Sequence, residues 1–210
     1  MTLACLILAA GQGTRMRSSK PKVMHAVAGY PMIAHVVHAC EMLEASRIVA
    51  VIAPGMEEVK ACVHPYPCVI QKEPLGTGDA VKAAREELKS FDGNILVLFG
   101  DTPLLTVSTL GRLVSRQQET QAAIVVGGFT PEEAGAYGRL VMREDGQLES
   151  IVEAADATAE QQKLTLCNGG IMLFQSAKLW PLLDQLRNDN AKKEFYLTDC
   201  IALANAQGWK

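Results

Sequence analysis

An unbroken apolar run, residues 3–9, passes directly into Gly11-Gln12-Gly13 and then Thr14-Arg15-Met16. A segment apolar at every position, rather than at alternate ones, suits a strand covered on both faces. The glycines that follow end it in a turn where backbone N–H groups can approach a ligand closely. A secretory leader would need a basic segment ahead of the apolar run, and none precedes it. The reading is therefore a buried first strand carrying a glycine-rich loop at its carboxyl end.

Similar short runs recur at 47–53, 68–71, 94–99 and 122–129, again continuous rather than alternating, and are expected to be covered on both faces. Between them lie helical patterns. Met32, Ile33, Val36, Val37, Cys40 and Leu43 form one apolar stripe, and residues 78–89 and 108–120 fit the same role. Strand and helix alternating in this way predict an α/β fold: a mainly parallel, twisted sheet with helices on both faces. Ligands of such sheets sit beyond the carboxyl ends of the strands.

From Tyr137 the texture changes. Residues 139–143 and 147–152 flank Glu144-Asp145-Gly146, and Asp-Gly between apolar segments favours a tight hairpin. This predicts a small antiparallel insertion, followed by a strand through 164–174 and helices around 179–186 and 197–206, the last starting near Thr198. With 210 residues the chain is expected to form one domain.

Charge and cysteine content narrow the function classes. A formal net charge of −3 gives no general attraction to nucleic acid, so a polyanionic ligand must be met by a local cluster. No apolar stretch approaches the roughly 20 residues of a membrane helix. The six cysteines show no C-x-x-C spacing and read as reduced thiols of a cytoplasmic protein. His35 and His38, three apart on a helix, lack a third ligand nearby, and His25 and His64 likewise read as structural. No Ser-His-Asp or Cys-His order marks a nucleophile.

The loop at 8–16 carries the chemistry. Gly11 and Gly13 offer amides, and Arg15 and Lys22 add cations, a set that suits the charge of a transferring phosphoryl group. The dinucleotide fingerprint would need a third Gly near Met16, and a Walker loop Gly-Lys-Ser/Thr; neither is present. Taken alone, the loop is equally a tight turn with a solvated Arg and Lys. Asp101, ending the run 95–99, is either a hard oxygen ligand for magnesium or the start of an Asp-Thr-Pro turn. Gln71 is either a base-reading amide or an ordinary strand-end glutamine.

The signature Gly11-Gln12-Gly13-Thr14-Arg15-Met16, a spacer and Pro21-Lys22 resembles that of the sugar-nucleotide pyrophosphorylases. The likeness continues in order through His25, Ala28-Gly29, Leu75-Gly76-Thr77-Gly78, Phe99-Gly100-Asp101, Tyr137-Gly138-Arg139, Val152-Glu153, Asp156-Ala157-Thr158 and Tyr196-Leu197-Thr198-Asp199. It covers essentially the whole chain and is similar to the N-acetylglucosamine-1-phosphate branch of that family. The resemblance implies a Rossmann-like nucleotidyltransferase fold whose antiparallel insertion binds sugar. It also implies a cytoplasmic, Mg2+-dependent transfer of a uridylyl group from UTP to N-acetylglucosamine 1-phosphate, in the supply of peptidoglycan and lipopolysaccharide precursors.

Residue by residue, it implies that Leu8, Ala9, Ala10, Gly11 and Gly13 hold the nucleotide by backbone, with Gln71, Gly76 and Thr77 on the base. Phe99, Gly100 and Asp101 complete the nucleotide site. Arg15, Lys22 and Asp101 act in catalysis, with Asp101 on the metal, and Gly138, Glu153, Asn168, Tyr196 and Thr198 meet the sugar. The family's further metal-binding Asn and its hexapeptide-repeat acetyltransferase domain lie beyond Lys210, so a C-terminally truncated domain is expected; the motifs leave the oligomeric state open. Local departures are Phe99 for Tyr, Asp79 for His, Ala155 for Lys, and Gly169-Gly170 in the Asn-Thr-Gly continuation, the last expected to loosen the sugar pocket. A relative using another nucleotide or sugar phosphate, or a nucleotide-binding module without turnover, fits the same residues.

Overall fold

The computed structural model describes residues 2–209 apart from Gln12, Thr14 and Arg15. Four strands form the parallel part of the sheet: β1 (Leu3–Leu8), β4 (Arg47–Ile52), β5 (Cys68–Ile70) and β6 (Asn94–Phe99), in the order β5-β4-β1-β6; the short strands β2 (Ala26–Val27) and β3 (Tyr30–Pro31) pair with each other apart from it. The long strand β10 (Cys167–Gln175) continues the sheet antiparallel to β6, with Met172 opposite Val97 and Gln175 opposite Asn94. On its other side β10 pairs β7 (Ile124–Phe129), and its first residue, Cys167, pairs Arg139 of β8 (Arg139–Met142). The mainly parallel α/β architecture is as the apolar runs predict.

The two faces are covered by different helices. Ala4, Leu6 and Leu8 of β1 pack with α3 (Thr77–Ala83), α4 (Arg85–Leu88), α7 (Ser176–Leu183) and α8 (Cys200–Ala206). Leu3, Cys5, Ile7 and Ala9 face α1 (Met32–Met42), α2 (Glu57–Val63) and α5 (Val107–Thr120). Both residue sets of one strand are apolar because each meets a helical layer, which is why the run does not alternate. Leu98 is fully buried on the central strand β6, and truncation to Ala there costs about 2–5 kcal/mol.

Burial on both faces holds for β1, β4 and β6, but not for β5 and β7. In β5 Cys68 and Val69 are half-buried and Ile70 is exposed, and in β7 only Ile124 is fully buried. The reason is position: β5 pairs only β4 and β7 pairs only β10 among the described residues, so each forms an edge of the sheet. The helical pattern at 78–89 forms two pieces, α3 and α4, separated at Ala84. That at 197–206 begins as a 3-10 turn, Leu197–Asp199, before α8.

The predicted antiparallel insertion is present. Strands β8 and β9 (Leu148–Val152) pair antiparallel, with Arg139 opposite Val152. Gly146 donates to the Arg143 carbonyl at 3.0 Å and takes φ +79°, while the Asp145 carboxylate accepts from the Gln147 N–H at 2.9 Å. That is a turn closed by a left-handed glycine, the conformation Asp-Gly favours. The capped helix α6 (Ala159–Gln162) follows, with Thr158 and Gln161 exchanging hydrogen bonds in a capping box. Among the described residues no helix is long and apolar enough to cross a membrane.

Candidate active site

The parallel strands end together at one rim. There a cavity of about 500 Å3 is bordered by Leu8, Ala9, Ala10, Gly11 and Gly13 from the loop after β1, by Phe99 and Asp101 after β6, and by Gln71, Gly76 and Thr77 after β5. Lys22 closes it from the 3-10 turn Lys22–Met24. Eleven of the residues expected to meet the nucleotide thus share a single space, formed by three loops far apart in sequence. Arg15 falls outside the described residues. Gly100 lies behind the wall, where a side chain would crowd Val23 and Ala9.

Two glycines of the first loop serve different ends. Gly13 has φ +61°, and a Cβ there would stand 2.6 Å from the Lys22 Cβ, so its small size lets the loop and the lysine turn pack together. At Gly11 no atom of the described residues comes within 4 Å of that position, an opening that suits a closely approaching ligand. The Lys22 ammonium forms an ion pair with the Asp101 carboxylate. Both remain partly open to solvent, at 39% and 26% of side-chain surface, so each can exchange its partner for a ligand.

The Leu75 to Gly78 segment is tied down by Phe195, which no motif marked, and by Leu197 of the Tyr196 motif. The Phe195 N–H donates to the Leu75 carbonyl at 2.7 Å, and the Gly78 N–H donates to the Phe195 carbonyl at 2.8 Å. The Thr77 hydroxyl accepts from the Leu197 N–H at 2.9 Å. Gln71, nearly buried, donates from Nε2 to the Gly76 carbonyl at 3.0 Å and to Asp79 Oδ2 at 2.9 Å.

The residues expected to meet sugar gather beside this cavity rather than in it. Because β10 runs antiparallel to β6, its first residues reach the rim where β6 ends. The Asn168 N–H donates to the Gly138 carbonyl at 2.8 Å, and Thr198 donates to Glu153 Oε1 at 3.2 Å. A Cβ on Gly138 would lie 3.5 Å from that same Glu153 oxygen. Tyr196 donates to Asp156 Oδ2 at 3.3 Å. Burial, then the Asp156 carboxylate, push the Tyr196 phenol up to about 12, which keeps it a neutral donor. Burial and the carboxylates of Glu153, Asp156 and Asp189 push Asp199 up to about 6.

Gly170 corrects the expectation of a loosened pocket. It has φ +74°, and a Cβ there would meet the Phe99 ring at 2.8 Å, while its N–H donates to the Asn168 side-chain oxygen at 2.9 Å. The absence of a side chain leaves room for Phe99, which lines the cavity, while the Gly170 N–H closes a local turn with Asn168. Arg139 explains the Tyr137-Gly138-Arg139 motif: its buried guanidinium donates to the carbonyls of Tyr137 and Gly135 and so ties the loop leading to Gly138.

Sequence reasoning missed Val23, Pro74, Ala80 and Glu194, which also line the cavity. Glu194 precedes the Tyr196 motif in a polar stretch with no pattern of its own; only contact with the Leu75 segment brings it to the site. His35 Nε2 lies 2.8 Å from the Val27 carbonyl, and His38 faces Glu41 at 3.6 Å, both structural roles. A second cavity, of about 590 Å3, lies near β7 against Leu140, Met142, Leu148, Leu166 and Trp209; its largely aliphatic lining suits no polyanion.

A parallel sheet whose carboxyl ends open on a glycine loop, a lysine and an aspartate defines a nucleotide-handling α/β protein of the Rossmann-like kind. The chain belongs to the family of MobA-like NTP transferase domains, whose model matches residues 5–200. It is 52% identical over 206 residues to the bifunctional protein GlmU of Rhodospirillum rubrum and 49% identical over 207 residues to that of Paramagnetospirillum magneticum. Each alignment covers 98% of this chain and 46% of the relative, so the chain spans about half the length of the relatives it matches. In three dimensions it resembles a UDP-glucose pyrophosphorylase complexed with UDP-glucose, with TM-score 0.82 at 18% identity, covering 100% of this chain and 89% of that one. At that identity the likeness speaks for the fold.

Proposed function

We propose that this chain transfers the uridylyl group of UTP to N-acetylglucosamine 1-phosphate, giving UDP-N-acetylglucosamine and pyrophosphate. The observation that carries the reading is the convergence of Gly11, Lys22 and Asp101 on one cavity beside the cluster of Glu153, Asn168 and Thr198. The ordered motif series and the relatives named GlmU support it. The six cysteines are free thiols, in keeping with a cytoplasmic enzyme.

The chemistry asks for positioning and charge stabilisation more than for a covalent partner. A phosphate oxygen of the sugar phosphate attacks the α-phosphorus; the new P–O bond forms as the bond to the β-phosphate bridging oxygen breaks, and pyrophosphate leaves. Lys22, together with Arg15, stabilises the charge on the transferring group. Backbone amides around Gly11 and Gly13 hold phosphate oxygens, and Glu153, Asn168 and Thr198 offer fixed hydrogen-bond partners to sugar hydroxyls.

Asp101 fits a magnesium site in its donor chemistry: a hard carboxylate oxygen at the cavity rim, already paired with a cation. Magnesium commonly takes only one or two carboxylates and completes its shell with phosphate and water, and when bound it neutralises phosphate charge. Asp101 would hold it, and Lys22, paired with Asp101 in the free protein, would add a second positive charge beside the phosphates. Pyrophosphate release from each of four nucleoside triphosphates, paired with N-acetylglucosamine 1-phosphate, glucose 1-phosphate and mannose 1-phosphate, tests the reading. The expected result is turnover greatest with UTP and N-acetylglucosamine 1-phosphate; a preference for another pair would overturn it.

A further inference from the structure

The amide of Gln71 is held in a way that bears on which base the cavity accepts. Its Nε2 donates twice, to the Gly76 carbonyl at 3.0 Å and to Asp79 Oδ2 at 2.9 Å. A carbonyl and a carboxylate only accept, so neither can stand opposite the amide oxygen without repulsion. The orientation of the amide is therefore dictated by its partners, and both N–H groups are spent on the protein. The remaining atom, Oε1, has no donor among the described residues and is not sealed away as a buried unpartnered atom. Gln71 is nearly buried and borders the nucleotide cavity, so Oε1 opens onto that space as a bare acceptor.

We propose that Asp79 is a positioning residue for base selection: it locks Gln71 with its carbonyl oxygen toward the cavity, so that the site takes pyrimidines presenting a ring N–H. Uracil and thymine offer the N3–H donor that Oε1 requires. Cytosine offers a lone pair at N3, which would face another lone pair, and a site that leaves such groups unpaired discriminates strongly. Asp79, on α3, is not among the residues that border the cavity and acts on the base through Gln71. The Gly76 carbonyl alone leaves the amide with one anchor, about which the second N–H is free to turn; Asp79 supplies the other. The proposal rests on the uridylyl reading for its ligand, but the locked amide is a property of the free protein.

Two measurements separate those levels. In 15N-labelled protein the Gln71 side-chain amide protons should be slow to exchange with solvent in the parent, and fast in D79A. Competition binding of UTP and CTP to the parent, D79A and D79N, each with its melting temperature, then reads the base. D79A should lose about tenfold of the preference for UTP while still folding, and D79N should keep it because the Asn carbonyl accepts from Gln71. D79K, which can only donate, should weaken the preference further. An unchanged UTP-to-CTP ratio in folded D79A, or rapid amide exchange in the parent, would overturn the proposal. Protected amide protons in a parent that binds neither pyrimidine nucleotide would overturn the uridylyl reading and the base selection together, leaving the lock as structural.

Discussion

Lys22 and Asp101 stand seventy-nine positions apart in the chain and are joined by an ion pair at the rim of the sheet. One comes from the turn that packs on Gly13, the other from the end of β6, and nothing local in either segment requires the other. A pair this open to solvent contributes only about 0–1 kcal/mol to folding. Its placement at the mouth of the cavity accords with the ligand-binding role proposed for both residues.

Separate replacement of these residues should therefore divide activity from stability. K22A and D101A are each expected to lower kcat by about 100- to 1000-fold, with melting temperatures close to the parent's. Steady-state pyrophosphate release and thermal denaturation check this. Near-normal turnover in both variants would remove them from the chemistry.

Thr77 links the two halves of the site, accepting the Leu197 N–H while lining the nucleotide cavity. T77V leaves that N–H without its partner, at a cost of about 1–3 kcal/mol, and frees the segment carrying Tyr196 and Thr198. The KM for sugar phosphate should rise more than that for UTP, and T77S should restore both. Initial-rate kinetics with each substrate varied would reveal the asymmetry.

Gly170 is a position where a single methyl group should disturb the cavity wall. With φ +74° and the Phe99 ring at 2.8 Å from a would-be Cβ, G170A should destabilise by about 2 kcal/mol and push Phe99 from the cavity wall. Urea unfolding and nucleotide affinity should both report the change.

Asp199 gives a pH prediction. Its folded pKa of about 6 lies above the ordinary aspartate value of 3.8, so protonation favours the folded state. The associated stability is fully present below about 4 and is lost as pH rises through about 6. D199N should therefore stabilise the protein at pH 7.5, with little difference from the parent at pH 4. Asp199 is only half-buried, and solvent screening leaves about 1 kcal/mol of the effect. Denaturant unfolding at the two pH values provides the comparison, and an equal gain at both would contradict the assignment.

The central strands were legible because burial on both faces leaves continuous apolar runs, as in β1 and β6. The edge strands read the same way yet are half open, since a run of apolar residues does not say whether a neighbour covers it. Helix α2 escaped notice because its seven residues bury only Val59 and Val63, too few to show a period. At the site, Gly11, Lys22 and Asp101 stand in motifs and were visible. Gln71 meets Asp79 only because the chain after β5 turns back into α3, and Leu75 meets Phe195 by packing of segments far apart in sequence; no residue pattern encodes either contact. Gly170 was legible as a glycine but not as a necessity, because its neighbour Phe99 is far away in sequence.

The most direct test follows the α-phosphorus. With UTP labelled at that atom, N-acetylglucosamine 1-phosphate and magnesium, the label should pass into UDP-N-acetylglucosamine, while a γ-label should leave as pyrophosphate. Retention of the α-label in UTP, or its release as UMP without a sugar nucleotide, would contradict transfer at this cavity.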